Sequence, residues 1–168
     1  MELKQVLLSR KSCRSYTEKK VEKEKLEAVV TAGSLAPLGL PMDGKPHLTV
    51  VTDPAMLKTL NGLFGPEREV IYNAPALILV SCPSSAPGIP EMNSACVVEM
   101  MSLMATDLGL GNIYLYGVCA GVKQNPELLK ALAIPEGYAP FSALALGYGS
   151  EGVAPCKEFV PTLTRNDI

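Results

Sequence analysis

The run Ala76-Leu-Ile-Leu-Val-Ser81, bracketed by Pro75 and Pro83, constrains the fold of this chain more than any other segment. It is of strand length and lacks the polar alternation of a half-wetted strand. It therefore predicts a strand buried on both faces in the middle of a sheet. With 168 residues, 48% of them hydrophobic, and a net charge of -2, one globular domain over residues 1–168 is expected. The slight acidity argues against a general nucleic-acid binder, which needs a basic excess spread over a face. No apolar window reaches the roughly 18 residues of a membrane span. Met1-Glu2-Leu3-Lys4 leads into an amphipathic pattern rather than a secretory signal, so a cytoplasmic protein without membrane contact is expected.

Around that strand the pattern predicts alternating helices and strands. Leu3, Val6 and Leu7 fall on one face of an opening helix, which can pack inward. Val21 to Ala32 reads as a surface helix stopped by Gly33. His47 to Val51 reads as a strand, followed by a helix with Asp53 at its N-cap, Pro54 at its first position and its end near Gly62. A loop is expected from Ser81 to Pro90. Met92 to Leu108 then reads as the longest helix, closed by Gly109 and nearly all apolar, with a narrow polar stripe of Glu99, Ser102 and Thr106. Such a helix is central to the core or lies in a subunit interface. A strand over Asn112 to Tyr116, a helix from Pro126 capped by Asn125, and a strand over Phe141 to Leu146 complete the pattern. By alternation alone it suggests a parallel α/β sheet. The segment from Gly33 to Pro46 carries Leu35, Leu38, Leu40 and Met42 among its glycines and prolines, too apolar for a free linker.

Candidate chemistry is concentrated early. Arg10-Lys11-Ser12-Cys13-Arg14 places three cations and a hydroxyl directly after the first helix. A guanidinium fork, an ammonium and a hydroxyl together suit a phosphate; the same run also reads as a solvated basic turn. Gly109-Leu-Gly111-Asn-Ile-Tyr114 lacks the third glycine of a dinucleotide fingerprint and runs from helix to strand, so a tight turn accounts for it better. No P-loop sequence is present. The five cysteines, Cys13, Cys82, Cys96, Cys119 and Cys156, form no C-x-x-C pair, so reduced thiols and no metal site are expected. His47 is the only histidine and reads as a structural residue at the start of a strand. Tyr114, Tyr116 and Tyr148 read mainly as packing residues with wet hydroxyls, and Glu99 as exposed.

In order along the chain, several segments resemble the nitroreductase family of FMN-dependent oxidoreductases, in particular its short members. They are Arg10-Lys-Ser-Cys-Arg14-Ser-Tyr16, Ala36-Pro37 leading to Pro46-His-Leu-Thr-Val-Val51, Ala74-Pro75-Ala-Leu-Ile-Leu-Val80, Leu108-Gly-Leu-Gly111 and Leu146-Gly-Tyr148. The resemblance spans roughly residues 3 to 150 and favours phosphate binding at the basic turn. It implies an α+β fold, a mostly antiparallel sheet flanked by helices, in an intertwined homodimer with FMN at the interface. The tail from about residue 150 would reach the partner subunit.

The same resemblance implies the roles of individual residues. Arg10, Lys11 and Ser12 would meet the phosphate and ribityl chain, and Arg14 the N1/O2 edge of the ring. Pro37, Leu38 and Gly39 would contact the flavin of the second subunit, and the loop Leu115 to Val118, with Tyr116 and Gly117, would offer a backbone N–H to N5. Asp43, Lys45 and His47 stand where the family has Asn, Gln and Trp, so the pyrimidine edge would meet different chemistry. Lys157 would take the place of a C-terminal basic residue on the phosphate, with Arg165 as the second candidate. NADH or NADPH would be the reductant and a nitroaromatic or quinone a suitable small-molecule acceptor, in ping-pong order. Two other functions are consistent with these residues: a flavin-binding protein without catalysis, and a thiol redox sensor acting through Cys13, whose thiolate the neighbouring cations would favour.

Overall fold

The computed structural model of the chain describes residues 1–39, 44–84, 88–152 and 163–166. The elements are α1 (Leu3–Ser9), α2 (Lys23–Ser34), β1 (His47–Val51), α3 (Pro54–Asn61), β2 (Ala76–Pro83), α4 (Ile89–Asp107), β3 (Gly111–Leu115), α5 (Gly117–Lys123), α6 (Pro126–Ala131) and β4 (Tyr138–Gly147). The four strands form one sheet in the order β1-β2-β4-β3, and every neighbouring pair is antiparallel. The fold is α+β, as the family resemblance implies, and the parallel sheet suggested by alternation alone is corrected. The cause lies in burial. Strands covered on both faces are typical of parallel sheets, and this antiparallel sheet is covered on both faces too, so its strands carry the same apolar signature.

The cover is divided by side-chain alternation along the strands. Leu77 and Leu79 of β2 with Ala143 and Ala145 of β4 face Leu57, Leu60, Val118, Val122 and Leu128 of α3, α5 and α6. Ala76, Ile78 and Val80 with Leu144 and Leu146 face Val29 of α2 and Val97, Val98, Met101 and Ala105 of α4. Every residue of β2 is buried. The register shifts between Val80 and Ser81, beside the buried Ser81 hydroxyl, which has no hydrogen-bond partner among the described residues.

Several element ends differ from their expected positions, each for a local reason. Gly33 lies inside α2 rather than ending it. A Cβ there would stand 2.8 Å from Met101 Cγ, so this glycine allows α2 and α4 to approach closely. β2 continues through Pro83 and α4 opens at Ile89, which shortens the expected loop at both ends. The stop at Gly109 is real. Its φ is 75°, and the bonds Gly109 N–H to Thr106 O and Leu110 N–H to Ala105 O form a Schellman motif. Asp53 and Asn125 cap α3 and α6 as expected. The expected loop at Leu115 to Val118 is instead the end of β3 and the start of α5. That helix, Gly-Val-Cys-Ala-Gly-Val-Lys, has weak intrinsic propensity and is held by the burial of Val118, Cys119 and Val122.

The opening helix is also corrected. Of its apolar face only Val6 is buried, while Leu3 and Leu7 are 65% and 55% exposed. In the polar stripe of α4 only Glu99 is exposed; Ser102 and Thr106 are buried. No helix among the described residues is long and apolar enough to cross a membrane.

This burial pattern predicts that Leu144→Ala, at a fully buried site packed against both β2 and α4, costs about 2–5 kcal/mol. Val50→Ala, on the exposed side of β1, should stay within about 0.5 kcal/mol. Urea unfolding of the two variants checks the contrast.

Candidate functional site

The basic turn is tied to the sheet by its backbone, while the Ser12 and Arg14 side chains stay exposed. After α1 the chain runs extended, with Arg10 at φ -60° and ψ 118°. Ser12 bridges to Asn112 in parallel and Tyr16 to Gly149 in antiparallel sense. The Cys13 N–H donates to Asn112 O at 2.9 Å, the Thr17 N–H to Tyr148 O at 2.8 Å and the Ser150 N–H to Ser15 O at 3.1 Å. The turn is thus threaded between the start of β3 and the segment that leaves β4. Gly111 permits this approach, because a Cβ there would sit 2.7 Å from Cys13 Sγ. The Tyr16 hydroxyl donates to Cys13 O at 3.0 Å; burial, followed by the nearby Cys13, raises its pKa well above the usual phenol value.

A pocket of about 300 Å³ opens at this junction, lined by Lys11, Ser12, Cys13 and Arg14 on one side and by Gly109 to Asn112 with Gly149, Glu151 and Gly152 on the other. Lys11 pairs with Glu151 at 3.0 Å. The Arg14 guanidinium lies over the Tyr72 ring, 6.0 Å from its centroid. Tyr72 and Asn73 adopt φ 56° and 54°, a left-handed conformation unusual for such residues. Asn61 holds them there: its Oδ1 accepts from Ile71 N–H and its Nδ2 donates to Asn73 Oδ1, each at 3.0 Å.

Behind the pocket a buried amide ties β3 to α4. Ser102 Oγ donates to Asn112 Oδ1 at 2.7 Å, and Asn112 Nδ2 donates to Thr106 Oγ1 at 3.0 Å. Asn112 is 1% exposed, so its satisfied side chain fixes the strand whose carbonyl holds Cys13. Sequence reading did not single out Asn112, Tyr72 or Glu151. For Asn112 the signal was present: polar Ser102 and Thr106, four apart on an apolar helix, meet a polar residue opening an apolar strand.

The other candidate residues lie elsewhere on the chain. Arg10 is half-buried beside the pocket and not in its wall. Gly39, following Pro37 and Leu38, exchanges two bonds with Asn93, N–H to Oδ1 at 2.7 Å and Nδ2 to O at 3.1 Å. This places the segment near the start of α4, about 20 Å along the helix from Thr106 at the pocket. Lys45 is exposed and follows Gly44, which packs on Tyr138 and Pro83 at the end of the sheet away from the pocket. Tyr116 is 67% exposed and caps α5, which opens at Gly117. Arg165 is exposed. Asp43 and Lys157 lie outside the described residues.

A protein of Archaeoglobus fulgidus, provisionally named NADH dehydrogenase/NAD(P)H nitroreductase, is 30% identical over 148 residues, covering 85% of this chain and 83% of that protein. The chain belongs to the nitroreductase family. A second relative with the same name, from Methanothermobacter thermautotrophicus, is 28% identical over 155 residues, covering 90% of this chain and 79% of that protein. Among solved structures, the Bacteroides fragilis nitroreductase with bound FMN superimposes with a TM-score of 0.86 at 26% identity, over 100% of this chain and 99% of that one. No family model matches.

Two further groups of side chains in this nitroreductase-family fold have defined surroundings. The Cys13 thiol donates to Ser15 O at 3.2 Å, and burial pushes the Cys82 and Cys119 thiols up to about 11 and about 12. Tyr148 is a structural hub, in keeping with its reading as a packing residue. Its hydroxyl donates to Glu22 at 2.6 Å and accepts from Lys25 at 2.9 Å, and Lys19 lies 4.0 Å from its centroid. The Tyr148 bond, with the Glu22 backbone N–H and Lys19 behind it, holds the Glu22 carboxyl down at about 2.

Two predictions follow from these bonds. Asn112→Ala leaves the Ser102 and Thr106 groups to find new partners and should cost about 1–3 kcal/mol in chemical denaturation. A depressed carboxylate stabilises the fold above its unfolded pKa, so the Glu22 contribution is complete above about 4.5 and is lost as pH falls toward about 2. Tyr148→Phe should move the Glu22 titration, followed by NMR, back up toward the ordinary value.

Proposed function

We propose that this chain is a cytoplasmic, homodimeric FMN-dependent oxidoreductase that takes hydride from NADH or NADPH and reduces a small planar acceptor such as a nitroaromatic or quinone, in ping-pong order. The observation that carries the reading is the pocket where Lys11, Ser12 and Arg14 converge on glycine-rich backbone. Two cations and a hydroxyl match a phosphate monoester and the polar chain beyond it. The fit is partial in size: about 300 Å³ is the lower end for a ligand pocket, enough for the phosphate end, with the ring lying outside it. The relatives support the rest. The Bacteroides fragilis structure holds FMN, and the archaeal relatives are named for NAD(P)H.

When bound, the flavin would supply the redox chemistry, two-electron transfer between nicotinamide and acceptor. Lys11 and Ser12 would hold the phosphate and ribityl chain, with Arg10 beside the pocket adding positive charge; Lys157 or Arg165 is proposed as a further cation there. Arg14, permanently charged and backed by Tyr72, stabilises the negative charge that two-electron reduction brings to the N1/O2 edge. Tyr116, just past the end of β3 and about 17 Å along its direction from Gly111, and Gly117, which opens α5, would offer a backbone N–H to orient the ring. Pro37, Leu38 and Gly39 would contact the flavin of the second subunit, and Lys45 would lie toward its pyrimidine edge. The exposure of Leu3, Leu7, Leu35, Met92 and Tyr116, each above 50% in the single chain, supports a partner surface.

The purified protein mixed with FMN should show a protein-bound flavin band at about 450 nm that bleaches with NADH or NADPH. It should also elute at the size of a dimer. A protein that leaves FMN free, or whose bound flavin resists both nicotinamides, contradicts the assignment. Arg10→Ala should weaken FMN binding by about 1.5–3 kcal/mol. Arg14→Ala should keep the flavin and slow its reduction, as read by stopped-flow absorbance.

A further inference from the structure

The pocket wall contains a charge of the wrong sign for an anion site. Glu151 lines it and holds Lys11 at 3.0 Å. The carboxylate is placed there by its backbone. Tyr16 bridges to Gly149, Ser150 is clipped to Ser15 through N–H to O at 3.1 Å and Oγ to Oγ at 2.7 Å, and the Gly152 N–H turns back to Gly149 O at 3.0 Å. Gly152 has φ 73°, a turn conformation that glycine accommodates without strain. Glu151 therefore cannot drift from the basic turn as a whole, although its side chain is free to rotate, being 79% exposed against 39% for Lys11.

We propose that Glu151 is a tethered counter-anion that competes with the ligand's phosphate for Lys11 and so holds the affinity for phosphorylated flavin below what the cations alone would give. The inference rests on the assignment of this pocket to the phosphate end of FMN. A phosphate monoester entering the pocket meets Lys11 already paired and a carboxylate of like charge beside it. To gain Lys11 it must displace Glu151, and the tether keeps that competitor at high effective concentration. The displaced side chain moves into water, so the penalty is that of one exposed ion pair and no more. The competition acts only on a ligand that carries the phosphate. Riboflavin, with the same ring and ribityl chain, is indifferent to it.

The test measures dissociation constants for FMN and for riboflavin by quenching of flavin fluorescence, in the parent protein, Glu151→Gln, Lys11→Met and the double variant. At low salt, Glu151→Gln should bind FMN about two- to five-fold more tightly than the parent, the range spanned by exposed ion pairs, and leave riboflavin unchanged. The gain should shrink at about 0.5 M salt and in the Lys11→Met background. If the parent binds FMN and Glu151→Gln binds it no more tightly, or tightens riboflavin equally, the competition is refuted while the flavin site stands. If the parent binds neither FMN nor riboflavin, the site assignment falls and this inference with it. Because Glu151 is exposed, thermal melting of the variant should match the parent, which separates a binding effect from a folding one.

Discussion

The antiparallel pairing of β2 with β4 is the constraint against which everything else is placed. β2 is buried throughout and β4 in all but its first residue, so both faces of this ribbon must be covered. Alternating side chains divide the work between α2 with α4 on one side and α3, α5 and α6 on the other. The same ribbon delivers the functional end of the molecule. β4 leaves the sheet at Gly147, and the residues that follow, Tyr148 to Gly152, are the ones that clamp the basic turn.

The turn therefore draws its order from the sheet and not from the helix that precedes it. α1 has seven residues, no side-chain cap and only Val6 and Ser9 buried, too short to be stable by itself. Its C-terminal continuation is held instead by backbone bonds to β3 and to the segment beyond β4. The Asn112 amide anchors β3 in turn, with partners on α4. A buried amide with all its bonds made is stiff, and losing one partner strands the others. A turn built this way is ordered by the fold itself, so little ordering entropy would oppose the ligand binding proposed for it.

Sequence patterning exposed the core strand, the α3 and α6 caps and the Gly109 stop because each rests on local chemistry: apolar continuity, an Asx side chain before proline, a glycine that tolerates positive φ. Strand direction was not legible in the same way, since burial on both faces writes the same residues into parallel and antiparallel strands. α5 was missed because its stability comes from Val118, Cys119 and Val122 packing into the core, while its own sequence favours a loop. Gly33 misled for the opposite reason. A glycine at the end of an apolar pattern reads as a stop, yet here it makes room for Met101. At the site, Lys11, Ser12 and Arg14 were visible as a charge run, whereas Tyr72 and Glu151, distant in sequence, reach the turn only through folding.

Charge balance at the turn explains why a basic run can persist on an otherwise slightly acidic chain. Lys11 and Arg14 line one pocket, and like charges gathered at one turn repel. Each has a local answer that costs no burial: Lys11 meets a carboxylate from the β4 exit, and Arg14 lies over an aromatic face. The two answers differ in consequence. A ring attracts a cation without offering it a full negative charge, so Arg14 is steadied without a counter-charge from Tyr72, whereas Lys11 is paired with a carboxylate.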